Sequence, residues 1–577
     1  MIEKICPKCK VPMTGDYCNN EKCKAKTISS TTIYWCDECN IPIFQKECPT
    51  CGVSGRYIAT DIRPVFPEER LLLALILGKE DPFYFNDKSV WFGGNIYIVD
   101  GRKVRVSITK INKWDISKIK EIKDRFYELL PQIDYSPFNN NIMLFSAANQ
   151  DRFNYITEEA TRYIQCIAAK YSLDDMMVSF SGGKDSTVTS HLVRTALGTN
   201  DILHVFGNTT LEFPLTLEYK KRFGKNAESK GVHVLTAKNR EKNFEELCDV
   251  VGPPSRVMRW CCTVFKTGAI QKTISSAFKD KTNILTFYGI RRSESASRSK
   301  YERETDSPKI AKQTVASPII DWIDFDIWLY ILSTGIDFND AYRLGYSRVG
   351  CWCCPNNGAW SEFLSKIHMH EQYISWRKKL VDFAIKIGKP DPDEYVDGGF
   401  WKARQGGNGL EAAQRSVVTF EPCATEENAF NYELQRPITE ELYELFKPFG
   451  TINKELGNRR LGEVYVLSKT GSVQLIIQGR IGTTELKVII KNIHIAGART
   501  LSVAEGKIKC QLTKYQMCLG CKACESICKH DAISIKDIGD GCVQYYIDEN
   551  KCLHCTDCVS HFNAGCYMRK VLGIKRS

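Results

Sequence analysis

The sequence has no run of eighteen apolar residues, and its longest greasy stretch, Leu71 to Leu77, stops at Gly78 and Lys79, so no segment has the length of a membrane span. The first residues, Met1-Ile2-Glu3-Lys4-Ile5-Cys6, hold no apolar signal core, from which a cytoplasmic location without a membrane partner is expected. No glycine lies five residues before Gly183, which excludes the GxxxxGK[ST] phosphate loop. Nor is this a disordered tail protein, because 43% of its residues are hydrophobic and 25% are charged. At 577 residues it is too long for one core, and about three to five domains are expected.

Cysteine and positive charge are abundant: 26 cysteines and a formal charge of +11. In a reducing compartment these thiols are poor disulfide material and better metal ligands. Eight precede residue 52, eight follow residue 517 in CxxC-type runs, and an adjacent pair plus a CxxC lie in the middle. Cys166, Cys248, Cys353, Cys423, Cys510 and Cys542 are scattered.

The first sixty residues repeat with a period of thirty: Cys6, Cys9 and Cys18 recur as Cys36, Cys39 and Cys48, and Cys23 is answered by Cys51. Such spacing suits two knuckles, each placing four thiolates around Zn²⁺, which supplies folding energy that a thirty-residue unit cannot take from its core. A rubredoxin-like iron site competes, and spacing leaves open whether ligands pair within each half or interleave. Residues 61–150 read as a small α+β module, with β-like alternation around Val90-Trp91-Phe92, a Gly93-Gly94 turn, Ile96 to Val99, an Asp100-Gly101 turn and a helix from Ile116 to Leu130. Residues 151–385 alternate helical and strand-like segments, as in an α/β unit with a parallel sheet. Residues 386–510 turn β-rich, with runs at Glu463 to Leu467, Val473 to Gln478 and Leu486 to Ile490. Residues 511–577 are short, cysteine-dense and need clusters to fold.

The apolar run Met177-Val178-Ser179-Phe180 leads into Ser181-Gly182-Gly183-Lys184-Asp185-Ser186, and helical periodicity follows from Thr187 to Leu197. Strand, glycine loop and helix in that order make an anion site, where amides point at phosphate and the helix N-terminus adds positive potential. The loop resembles the SGGKDS pyrophosphate loop of N-type ATP pyrophosphatases. Downstream, Asn208-Thr209-Thr210-Leu211-Glu212-Phe213-Pro214-Leu215-Thr216-Leu217-Glu218 is similar to the DTGxxFPETxE stretch of phosphoadenosine phosphosulfate (PAPS) reductases, with Asn208 where that family usually has Asp. Cys261-Cys262 with Lys266, Gly289 to Ser295 with Arg298, Pro318-Ile319-Ile320-Asp321-Trp322 with Asp326 and Trp328, Gly345-Tyr346-Ser347, and Gly350-Cys351-Trp352-Cys353-Cys354 extend the resemblance over about 200 residues.

The resemblance implies a multidomain α/β protein whose Rossmann-like adenine-nucleotide α-hydrolase core binds ATP, adenosine phosphosulfate (APS) or PAPS at the carboxyl ends of the strands. It assigns Ser179, Ser181, Gly182, Gly183, Lys184, Asp185, Ser186, Thr209, Lys266 and Asp321 to the nucleotide, and Lys184, Asp185, Arg291, Arg292 and Arg298 to catalysis. The arginines suit bidentate binding of sulfate or phosphate oxygens, with a solvated charged loop as the alternative. Asp185 and Asp321 are candidates for Mg²⁺ or for orienting the loop. Cys261, Cys262, Cys351 and Cys354 match the thiolates that iron–sulfur members of the family use for a [4Fe-4S] cluster; zinc and an unmetallated core are the alternatives, and Cys353 could replace Cys354. Two departures matter. The loop is intact, as ATP cleavage requires, and the C-terminal ECGLH nucleophile motif of the reductases is absent, leaving Cys248, Cys353 and Cys423 as substitutes.

Cys518, Cys521, Cys524 and Cys528 have ferredoxin spacing, and Cys552, Cys555, Cys558 and Cys566 give a second set. In two-cluster ferredoxins the fourth cysteine ligates the other cluster, so Cys566 is expected with the first three and Cys528 with the second three. Cys510 and Cys542 are spare. Three [4Fe-4S] clusters and two Zn²⁺ at about −2 each bring the metallated chain to about +1, which weakens the case for a nucleic-acid partner. Three functions compete: adenylyl or sulfonucleotide chemistry coupled to electrons from the chain's own ferredoxin domain and a redox donor protein; ATP-dependent sulfur insertion into a nucleic acid; and nucleotide sensing without turnover.

Overall fold

Five apolar runs build the parallel sheet at the centre of this computed structural model. The structure describes residues 3–5, 12–13, 18–20, 23, 28–228, 232–256, 258–295, 298–306, 313–403, 419–518, 520–539, 542–560, 566 and 575–576. Met176–Phe180 (β1), Leu203–Asn208 (β2), Val234–Lys238 (β3), Ile284–Tyr288 (β4), Glu304–Asp306 (β5) and Gln313–Ala316 (β6) lie in the order β3-β2-β1-β4-β6-β5. Neighbours pair parallel except β5, the antiparallel edge. Strand alternation sends Met176 and Val178 to one face and Met177 to the other. Gln150–Ala168 (α1) and Lys184–Leu197 (α2) pack on the first face, Gly268–Ala277 (α3) covers the second, and Asp324–Thr334 (α4) joins α1 and α2. This is the Rossmann-like adenine-nucleotide α-hydrolase architecture. The strand order reverses beside β1, and the crevice at that point is where such sheets bind ligands.

A four-stranded antiparallel sheet precedes it, formed by Arg63–Pro64, Val90–Gly93, Ile96–Val99 and Arg102–Val104. Its first hairpin turns on Gly94 and Asn95, both at positive φ, one residue later than the expected Gly93-Gly94 turn. The Cβ of any residue at 93 would fall 2.5 Å from the Asp61 carbonyl oxygen, so that glycine serves close packing instead. Asp100-Gly101 turns as expected, and the helix spans Ile116–Leu129 with Asp115 as its cap. This module is bolted to the nucleotide domain by a buried ion pair, Arg63 Nη1 to Glu69 Oε2 at 2.7 Å, set against Gly345.

The β-rich part forms a seven-stranded sheet that includes Glu463–Leu467, Val473–Gln478 and Glu485–Ile490. Helix Leu501–Met517 (α5) crosses the boundary expected at residue 510, and its inner face joins this sheet and the cysteine-rich end in one apolar cluster. Among the described residues no helix is long and apolar enough to cross a membrane.

Candidate functional site

The loop after β1 turns at Gly182, whose φ of +71° suits glycine, and Gly183 caps α2. The Ser181 amide donates to Ser186 Oγ at 3.1 Å, and Ser186 Oγ donates to the Gly183 carbonyl at 2.9 Å, so the helix's first turn holds the loop shut. Backbone crowds the loop from β4 as well: a Cβ at Gly289 would lie 2.6 Å from the Asp185 carbonyl oxygen. The Lys184 amide donates to the Tyr342 hydroxyl at 2.9 Å. Ser179 sits in β1 with its side chain bonded to Tyr288.

Charge is concentrated beside this loop. Lys184 Nζ lies 3.2 Å from Asp185 Oδ2 and 3.3 Å from Asp324 Oδ1. Arg291 bridges the same two carboxylates, by Nε to Asp185 and by Nη2 to Asp324 Oδ1 at 2.6 Å. Burial opposes ionisation of Asp185, but Arg291 and Lys184 outweigh it and hold the carboxyl at about 2. A third carboxylate arrives from the N-terminal side: Asp61 accepts from the Asp324 and Phe325 amides, both at 3.0 Å, at the start of α4. Burial and the Asp324 charge push Asp61 up to about 7. Asp324, three residues beyond Asp321, is thus the carboxylate that faces Lys184. Asp321 pairs instead with Arg292, and that pair is partly open to solvent. Arg298 pairs with Glu294, and burial and the neighbouring Arg348 lower its pKa.

The central cysteines lie at the same strand ends. Thr209, just past β2, has its Oγ1 3.5 Å from Cys351 Sγ and donates to Glu212 Oε1 at 2.6 Å. Residues 212 and 351 pair as an antiparallel bridge, which ties the two motifs together. Cys261 precedes a π-helical turn, Cys262–Thr267, that carries Lys266. The Cys262 and Cys351 thiols both act on Cys261, Cys262 acts on Cys354, and Lys266 acts on Cys351. Burial pushes the Cys351 thiol up to about 12, a state that a soft cation would reverse. The exposed Arg348 and Arg259 both favour a Cys354 thiolate. Cys353 is buried beside the same thiols, acting on Cys261 and acted on by Cys351, Cys354 and Cys248, and Cys248 is its buried neighbour.

Sequence reasoning missed Asp61, Asp324, Tyr342 and Arg348. Asp324 and Arg348 lie within or beside recognised motifs, whereas nothing local marks Asp61, whose partners are 263 residues away.

Two further cysteine groups frame the core. The sulfurs of Cys36, Cys39, Cys48 and Cys51 all lie within 4.8 Å of one another, with Cys36 to Cys51 at 3.4 Å and Cys39 to Cys48 at 3.8 Å. Tetrahedral Zn–S bonds of about 2.3 Å place sulfurs about 3.8 Å apart, so this set, drawn from one half of the repeat, has the dimensions of a zinc site. Cys18 and Cys23 are described, while Cys6 and Cys9 lie outside the described residues. At the C-terminal end the Cys524 thiol acts on Cys518, Cys521, Cys566 and Cys558, Cys510 acts on Cys566, and Cys528 acts on Cys552, Cys555 and Cys558. Burial pushes Cys518 up to about 11 and Cys521 to about 12. Helix Ala523–Ile527 (α6) docks this end on the core: Ala523 and Cys521 share an apolar cluster with Cys261 and Cys351, and Gln271 donates to the Cys528 carbonyl at 2.8 Å.

Residues 175–357 match the phosphoadenosine phosphosulfate reductase domain family. A protein of uncharacterized function from Methanocaldococcus jannaschii is 30% identical over 321 residues, covering 53% of this chain and 64% of that one. An adenosine 5'-phosphosulfate reductase of Neisseria meningitidis is 36% identical over 98 residues, 17% of this chain and 36% of the enzyme. The chain thus spans less than two thirds of the length of either relative. Among solved structures, a phosphate complex of the PAPS reductase from Candida auris is similar at 13% identity, with 36% of this chain and 97% of that one covered and a TM-score of 0.28.

Proposed function

Taking residues 175–357 as a phosphoadenosine phosphosulfate reductase domain, we propose that this chain is an iron–sulfur enzyme that binds an adenine nucleotide at the Ser181–Ser186 loop and couples sulfonucleotide reduction to electrons from its own C-terminal module. One observation carries the reading: Cys521 and Ala523 of that module share an apolar cluster with Cys261 and Cys351, and Cys351 touches Thr209 at the strand end that faces the loop. Cysteines held as buried thiols, with Lys266, Arg259 and Arg348 nearby, fit [4Fe-4S] ligation, and such a cluster would supply single electrons beside the nucleotide.

The chain's own residues do the rest. Loop amides and the α2 N-terminus receive phosphate oxygens. Lys184 and Arg291 are held beside the loop by Asp185 and Asp324, where their charges face an incoming anion, and the same two carboxylates would hold Mg²⁺ if it accompanies the nucleotide. Arg298 feels Asp185 of the loop and Arg348, and Arg348 acts in turn on Cys354, so the two arginines offer charge to a sulfate group. Reduction then breaks the S–O bond of the phosphosulfate: oxygen keeps the bonding pair on AMP from APS, or on adenosine 3',5'-bisphosphate from PAPS, and two electrons take sulfur from +6 to +4 as sulfite. Burial of Cys248 and Cys353 removes two candidate nucleophiles from reach, whereas Cys423 is half-buried against the β-rich sheet and its hydrogen bonds to Thr425 lower its thiol pKa.

A second reading, ATP-dependent sulfur insertion into a nucleic acid, is favoured by one observation, the intact Lys184 and the Ser186 bonds that shape the loop for a β,γ-pyrophosphate. Anaerobic incubation with ATP, APS and PAPS, with sulfite and pyrophosphate detected separately, decides. Sulfite from APS or PAPS in the presence of reductant is expected. Pyrophosphate from ATP without sulfite would replace the first reading by the second.

A further inference from the structure

Helix α5 carries a lysine where no lysine should be comfortable. Lys514 is 2% exposed, and its Nζ donates to the Cys558 carbonyl at 2.7 Å. Among the described residues no carboxylate lies within ion-pair distance of it. The nearby carboxylates are otherwise engaged: Glu505 pairs with Lys509 on the same helix, and Glu441, on the neighbouring Glu440–Glu444 helix, binds Arg436 and the Tyr545 amide. Cys524 and Cys558 pack in the same apolar cluster as Leu512 and Tyr515 of α5, and the groups whose charge acts on the ammonium are the Cys524, Cys510, Cys558 and Cys566 thiols. A buried cation without a counterion is strongly unfavourable. The arrangement makes sense if the anion is what those thiolates bind.

We infer that Lys514 is the fixed countercharge shared by the two clusters of the C-terminal cysteine sets, holding their reduction potentials up. The inference rests on the reading of these cysteines as iron–sulfur ligands. A thiolate-ligated cluster is anionic and gains one more negative charge on reduction, so a buried positive charge favours the reduced form most. Because the ammonium touches one set through Cys558 and lies beside Cys524 and Cys566 of the other, both clusters feel it. The charge also has a converse cost: once the clusters are removed, Lys514 is a buried cation whose acceptor among the described residues is the Cys558 carbonyl.

The test uses the full chain, reconstituted anaerobically, as wild type, Lys514→Met and Lys514→Arg. Iron and sulfide content, an EPR-monitored redox titration, and hydrogen exchange of α5 before and after chelator stripping are measured. In Lys514→Met the midpoint potentials should move to more negative values, while Lys514→Arg stays near wild type. Stripping should expose the α5 amides less in Lys514→Met than in wild type, because the uncompensated charge is gone. If Lys514→Met fails to hold iron, the stripped-state comparison alone decides. Unchanged potentials, or α5 protection lost equally from loaded and stripped Lys514→Met, would overturn the inference, since packing alone predicts the latter. A wild-type chain that binds no iron would instead overturn the underlying reading, and the absence of sulfite formation would leave the potentials and exchange results standing.

Discussion

At the residue scale, the loop lysine and the half-buried Arg292 of the Gly289–Ser295 motif differ in kind. Lys184 is buried between two carboxylates and aligned with the loop, so Lys184→Met should weaken nucleotide binding about 10–100-fold, the worth of one charge-assisted contact of about 1.5–3 kcal/mol. Arg292 is spent on Asp321 near solvent, and Arg292→Ala should change the same titration by less than about threefold. Calorimetric titration with a non-hydrolysable ATP analogue measures both. Asp61 gives a pH signature. Its carboxyl is raised above the unfolded value, so its contribution is fully present below about pH 4 and is lost as pH rises through about 7. Asp61→Asn should therefore flatten the stability profile of the nucleotide domain between pH 5 and 8, by on the order of 1–3 kcal/mol at the alkaline end. Hydrogen exchange of α4 across that range reads it. Lys184 and Asp185 were legible because strand, glycines and helix are contiguous. Asp61 was not, because a cap supplied across 263 residues leaves no local pattern.

Among the elements, the contact between α3 and α6 is the tightest feature that joins the two halves. A Cβ at Gly268 would fall 2.5 Å from Ser526 Cβ. Gly268→Ala should loosen the C-terminal module by about 1–3 kcal/mol, and adding Ser526→Gly should recover part of that loss, a coupling expected only of touching residues. Limited proteolysis of the module with iron bound compares the three variants. The parallel strands were readable as apolar runs because both faces of the sheet are covered. The sixfold strand order was not, since periodicity carries no information about neighbours. The π-helical turn at Cys262–Thr267 was equally silent: nothing in its sequence marks the extra residue per turn, and Val264 and Phe265 pack beneath the cysteines there.

For the whole molecule, three [4Fe-4S] clusters and two zinc ions predict about twelve irons and two zincs per chain, measured by elemental analysis after anaerobic purification. Cys39→Ser should remove one zinc while leaving the iron in place, and should also loosen α4, because Phe44 from the second knuckle packs on Phe325. The Cys36, Cys39, Cys48 and Cys51 group was legible, since its spacing is local. The relation between the groups was not, because it depends on which surfaces of separate modules meet. One of those meetings has a bearing on biosynthesis. Asp61 and Arg63 find their partners on α4 and at Gly345 some 263 and 282 residues downstream. At about 5–20 residues per second a ribosome needs on the order of tens of seconds to deliver them. Throughout that interval the N-terminal thiols are available to zinc while no iron-binding set is complete, because Cys351, Cys354 and the C-terminal cysteines have yet to be made, so the order of translation favours zinc at the N-terminal sites.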